Sequence, residues 1–129
     1  MFTNKFATRL NSFKSNWQSE LKPSIKDLIK RASTVVNLTH VDLNYPDHSM
    51  PSLTDVAKFT ADCGLEINGL AMRYYTNPAF KLGAFTNPNK QVRQEAIDLT
   101  KKAIDGLREI NSNLLTIWLG QDGFDYGFQ

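Results

Sequence analysis

Apolar positions along the chain follow two alternating rhythms, one short with period two and one longer with a return every three or four residues. Residues 5–11 read as a first strand, with Phe6, Thr8 and Leu10 favourable. Residues 11–23 are polar, with Trp17 among them, and read as a strand-to-helix loop. Pro23 and Ser24 open a first helix. Ser24 is placed to cap it, and Asp27 sits where a capping box needs a carboxylate. Ile25, Leu28, Ile29 and Ala32 then share one helical face.

Residues 35–45 read as a second strand, ended by Pro46. Period two puts Val41 and Leu43 on one side and His40, Asp42 and Asn44 on the other. Ser52, with Asp55 three residues on, starts a second helix whose inner face is Val56, Phe59 and Cys63 and whose stop is Gly64. A third strand spans residues 65–73, and a long loop spans 74–87. Asn87-Pro88 is predicted to open the third helix. Its stripe is Val92, Ala96, Leu99, Ala103, Ile104, Leu107 and Ile110, and Asp98 is expected to pair with Lys102 outside. Residues 113–119 read as a buried fourth strand that runs into a loop rich in Gly, Asp and aromatic residues.

Strand and helix alternate three times before a final strand. The predicted class is α/β, a parallel sheet built of βα units with helices outside. Two architectures satisfy that pattern: a small open sheet, or the N-terminal half of a (β/α)8 TIM barrel, whose full length is about 250 residues. The polar face of His40, Asp42 and Asn44 favours the barrel, because its upper interior accepts polar side chains. Residues 1–129 are read as one half-barrel unit. A chain that ends just after a strand opens a binding loop is expected to be part of a larger domain.

Composition narrows the function. The 41% hydrophobic content supports a packed core. A net charge of +2, with both signs interspersed, argues against a nucleic-acid partner. No apolar run reaches the ~18 residues of a membrane span, and the N-terminus lacks a signal-peptide apolar region. The single cysteine, Cys63, excludes an intramolecular disulfide and fits a buried helix position in a reducing cytoplasm, so a cytoplasmic location is expected.

Candidate chemistry collects at the carboxyl ends of the strands, where ligands bind in parallel α/β folds. Asn11 follows the first strand; Asn44, Tyr45, Asp47 and His48 follow the second. Arg73, Tyr74, Tyr75, Asn77, Phe80 and Phe85 follow the third; Trp118, Gln121, Asp122 and Asp125 follow the fourth. His48 is the candidate acid–base residue, with a solvated or capping histidine as the plain alternative. Trp118 is either core or the wall of a substrate site. Tyr74 and Tyr75 are adjacent and cannot both point inward. Phe80 and Phe85 are loop anchors or ligand contacts, and Asp122 and Asp125 read as turn residues. No set of carboxylates converges as a hard cation requires, so no metal ligand is assigned. Gly120, Gly123 and Gly127 make neither a dinucleotide nor a P-loop pattern, and no nucleophile elbow or Cys-His arrangement is present.

From Asn77 to Pro88 the residues read Asn-Pro-Ala-Phe-Lys-Leu-Gly-Ala-Phe-Thr-Asn-Pro; a helix follows, then Leu115-Thr116-Ile117-Trp118-Leu119-Gly120-Gln121-Asp122-Gly123. This order resembles the xylose isomerase-like βα-barrel superfamily of sugar isomerases, sugar and sugar-phosphate epimerases and endonuclease IV-type DNA repair enzymes. Residues 6–13, 41–48 and 68–75 resemble the first three strands of its sugar-phosphate isomerase/epimerase branch. The resemblance implies a sugar or sugar-phosphate ligand, with Trp118 as a wall of the site, Tyr75 lining it, and Asn44 nearest the position of the family histidine that binds the sugar ring oxygen. His48 lies just beyond; Asp42, Asn11 and Phe85, chosen from their places on and after the strands, complete the candidate substrate-binding set. A divalent metal (Mn, Mg, Co or Zn) is implied for the whole protein, with ligands on strands five to eight and so none on this chain. Two readings follow: a pocket-wall fragment of a sugar isomerase or epimerase, inactive alone, or a non-catalytic half-barrel that self-associates through its exposed strand edges. A DNA repair fragment is the third, and the mixed charge does not favour it.

Overall fold

The computed structural model of the chain describes residues 4–14, 22–49 and 51–119. Its elements alternate as the periodicity predicts: β1 (Ala7–Arg9), α1 (Ile25–Ser33), β2 (His40–Tyr45), α2 (Leu53–Asp62), β3 (Glu66–Arg73), α3 (Lys90–Gly106) and β4 (Leu115–Trp118). The strands form one sheet in the order β1-β2-β3-β4, and every pair is parallel. Parallel neighbours need a crossover, and each helix supplies one. Right-handed crossovers that always advance in one direction lay all three helices on the same face. The fold is therefore α/β with repeated βα units, compatible with half of a (β/α)8 barrel.

Burial follows from that layering. Val41 and Leu43 of β2 and Leu70 and Met72 of β3 point into the helical layer, where they meet Leu28, Ile29, Val56, Ala96 and Ala103. Gly69 permits β4 to close against β3. A Cβ there would stand 2.5 Å from the Leu114 carbonyl oxygen. The helix starts are set by their caps. In α1 the Asp27 amide donates to Ser24 Oγ at 3.3 Å while the Ser24 amide donates to Asp27 Oδ2 at 2.9 Å. In α2 the Asp55 amide donates to Ser52 Oγ at 3.1 Å.

Several expectations needed correction. β1 is only three residues long, because Leu10 turns into a short 3-10 helix (Leu10–Lys14) that buries its side chain completely. β2 starts at His40; residues ahead of it make a turn, with Asn37 at φ 66° and Val35 and Val36 exposed. Asn89, not Asn87, caps α3, because Asn87 is buried and donates to the Gly83 carbonyl at 2.8 Å. Ile104 leaves the α3 stripe and is 51% exposed, whereas Leu107 and Ile110 stay buried beyond the helix end. Asp98 accepts from Gln94 Nε2 at 3.0 Å, and no ion pair joins it to Lys102. The fourth strand was expected to be buried, yet Ile117 and Trp118 are each 50% exposed. β4 pairs only with β3, and no described element covers its other edge.

Candidate functional site at the strand ends

Register determines which side chains share the helix-free face. Arg9 lies beside Asp42, Asn44 beside Ala71, and Trp118 beside Arg73. Asn68 is the extra residue where the β2–β3 register shifts, and its Nδ2 donates to Asp42 Oδ1 at 2.7 Å. A bulge has thus turned a backbone irregularity into a clamp on the Asp42 carboxylate.

Beyond the strand ends the loops converge on Arg73. Its NH1 lies 3.5 Å from Asp47 Oδ2 and 3.5 Å from Asn11 Oδ1, both long contacts. Its guanidinium stands 4.8 Å from the centroid of the Tyr75 ring. Thr76 Oγ1 donates to Asp47 Oδ1 at 3.2 Å and so ties the loop after β3 to the turn after β2. Arg9 lies over the Trp118 ring at 5.3 Å. Both stacks are cation–π contacts, which exposed sites value at about 0.5–1 kcal/mol.

His48 sits in the turn after the cis Tyr45–Pro46 peptide and is buried. The Asn44 amide donates to its Nδ1 at 3.1 Å. Nδ1 must then be unprotonated, which puts the ring proton on Nε2. Nε2 is buried and has no hydrogen-bond partner, as is Arg73 Nε. A buried donor left unmatched costs about 1–3 kcal/mol. Burial, reinforced by Lys14 and Arg73 and opposed by Asp47, pulls the His48 pKa down to about 4. At neutral pH the ring is a fixed, uncharged donor.

The remaining predicted residues divide. Asn44 is buried under the same turn, and Tyr75 is 39% exposed beside Arg73. Tyr74 takes the inward position that Tyr75 leaves, fully buried, with its hydroxyl 2.6 Å from Thr100 Oγ1. Phe80 and Phe85 both meet Tyr74 edge-on, at 5.9 and 5.1 Å, so they anchor the loop. Gln121, Asp122 and Asp125 lie outside the described residues. Among the described residues no group of three or more His, Cys, Asp or Glu side chains is placed to hold a metal ion. No described helix is long and apolar enough to cross a membrane. Arg9 was not singled out from the sequence. The signal was present, since Arg9 alternates with the favourable Thr8 and Leu10 and so falls on the opposite side of the strand.

Comparison with known proteins adds one finding to this geometry. The chain is 31% identical over 62 residues to a xylose isomerase from Thermus thermophilus. The matched stretch is 48% of this chain and spans only 16% of that relative. No family model matches.

Proposed function

We propose that the chain supplies the first four strands of a (β/α)8-type barrel whose pocket holds a sugar or sugar phosphate for isomerisation or epimerisation. One observation carries the reading. Polar and aromatic side chains gather on the helix-free face and at the carboxyl ends of four parallel strands, while the apolar ones turn to the helices. Similarity to a xylose isomerase supports the substrate class. In this reading Trp118 and Tyr75 are the apolar walls against which sugar C–H groups rest. Asp42 and Asn11 bind hydroxyls, and the buried Asn44 fixes the His48 ring beneath them. His48 is the catalytic candidate, neutral and with its unmatched Nε2–H enclosed under the turn after β2. Phe85 packs on Tyr74 and holds the loop after β3 in place rather than facing the pocket.

The described residues do not fit the divalent metal that such isomerases use. A hard cation takes several oxygen ligands converging on one point, and Asp42 and Asp47 are already engaged by Asn68 and by Arg73 with Thr76. The chain's own part is to bind and orient substrate. Two assays test this together. Calorimetry should show aldoses or ketoses binding the chain, and Trp118→Ala should weaken that binding about tenfold, as loss of a ring wall does. The chain with Mn²⁺ or Mg²⁺ should leave the aldose–ketose ratio unchanged. Turnover well above blank would contradict the division of labour.

A second, non-catalytic reading has its own support. Among the described residues β1 and β4 each pair on one side only, and Ile117 is exposed on β4. Such edges invite pairing with another copy. Two four-stranded sheets joined edge to edge supply eight strands, the number at which a barrel closes. Light scattering should then report a dimer; a stable monomer contradicts it.

A further inference from the structure

The helix-free face carries two guanidinium groups that the fold leaves short of acceptors. Arg73 is the register partner of Trp118 on β3, and Arg9 reaches over the same ring from β1. Arg9 has no carboxylate within ion-pair distance among the described residues. Arg73 engages Asn11 and Asp47 through NH1, which leaves Nε buried without an acceptor. Its side chain still keeps 16% of its surface in solvent.

Asp42 and Asp47 match the two guanidiniums in formal charge, but neither makes a short contact to one. Asp42 accepts from Asn68, and Asp47 is shared between Arg73 and Thr76. At the opposite end of β2, Glu66 faces His40 at 3.2 Å and is not part of the group. Each guanidinium carbon stands over an aromatic ring, at 5.3 Å for Arg9 on Trp118 and 4.8 Å for Arg73 on Tyr75. Two in-plane donors match the paired oxygens of a carboxylate or phosphate far better than they match an isolated hydroxyl.

We propose that Arg9 and Arg73 form an oxyanion-binding pair, and that the ligand of this face is a polyol bearing a carboxylate or a phosphate monoester. The polyol part rests on the sugar-pocket reading above; the anion part stands on the two arginines.

The test is an NMR titration of the full ¹⁵N-labelled chain, following the arginine Nε–H and tryptophan indole resonances at constant ionic strength. The probes are fructose, fructose 1-phosphate, gluconate and inorganic phosphate. The Arg73 Nε–H and Trp118 indole signals should move with fructose 1-phosphate or gluconate, and that anion should bind about tenfold or more tighter than fructose. Whichever of the two binds tighter identifies the oxyanion. Arg73→Lys, which keeps the charge but loses the fork, should remove most of that preference. Arg9→Gln, at a less buried position, should reduce it as well. Fructose binding as tightly as both anionic probes overturns the oxyanion pair and leaves the sugar pocket standing. Inorganic phosphate binding as tightly as fructose 1-phosphate keeps the pair and overturns the sugar reading. No shift with any probe, or an undiminished preference in both variants with native amide spectra, overturns the inference.

Discussion

Two residues, one in the turn after β2 and one on β3, show how local physics shapes the candidate site. His48 is held neutral by burial, with a pKa of about 4 against 6.5 for the free side chain. A histidine with a lowered folded pKa binds fewer protons in the native state than in the unfolded one. Its contribution is complete above about pH 6.5 and is lost as pH falls from there toward 4. The loss amounts to ~3 kcal/mol at most, since each pKa unit is worth about 1.4 kcal/mol. His48→Gln should therefore flatten the slope of stability against pH across that window, read from urea midpoints at pH 7.5 and 4.5. An unchanged slope would show that burial of His48 is not what sets it. Gly69 makes the second case. Gly69→Ala places a methyl group against the Leu114 backbone, which cannot swing aside as a side chain can. Overpacking of that kind costs about 1–3 kcal/mol, and amide exchange in β4 should accelerate selectively. Uniform protection in β4 would mean that the strand shifts freely.

At the scale of elements, the caps explain why sequence reading placed the helices so well. Ser24 with Asp27, and Ser52 with Asp55, put the start of α1 and α2 at the expected residues. Asp27 is held below its usual carboxyl pKa by the hydrogen bonds from Ser24. Ser24→Ala should destabilise the chain by about 1 kcal/mol, measured by thermal or urea unfolding, with Ser24→Asp restoring most of it. No loss in Ser24→Ala would mean that α1 is held by packing alone. Other boundaries depended on tertiary contacts that no local pattern reveals. Asn87 looked like a cap, but its side chain is needed inside the loop after β3. Val35 and Val36 looked like strand residues, but the turn at Asn37 redirects the chain. Part of the site was legible by parity. Asp42 and Asn44 fall on the predicted polar side. Arg9 and Arg73 gain their meaning only from register, which brings β1, β3 and β4 together around one indole ring.

Among the described residues, helices cover one face of the sheet, and the other keeps its polar and aromatic side chains. That asymmetry is what a pocket wall requires; among the described residues β1 and β4 are also left as open edges. The geometry of the strand ends supports a pocket, and similarity to a xylose isomerase over 62 residues supports its substrate class. The most direct test is to map where a sugar touches the chain, by backbone and indole chemical-shift changes during titration with an aldose, its ketose and their phosphates. The expected result is a cluster of shifts at Asn11, Asn44, His48, Arg73, Tyr75 and Trp118, with the helical layer silent. Shifts confined to the helices, or none at millimolar sugar, would contradict the account.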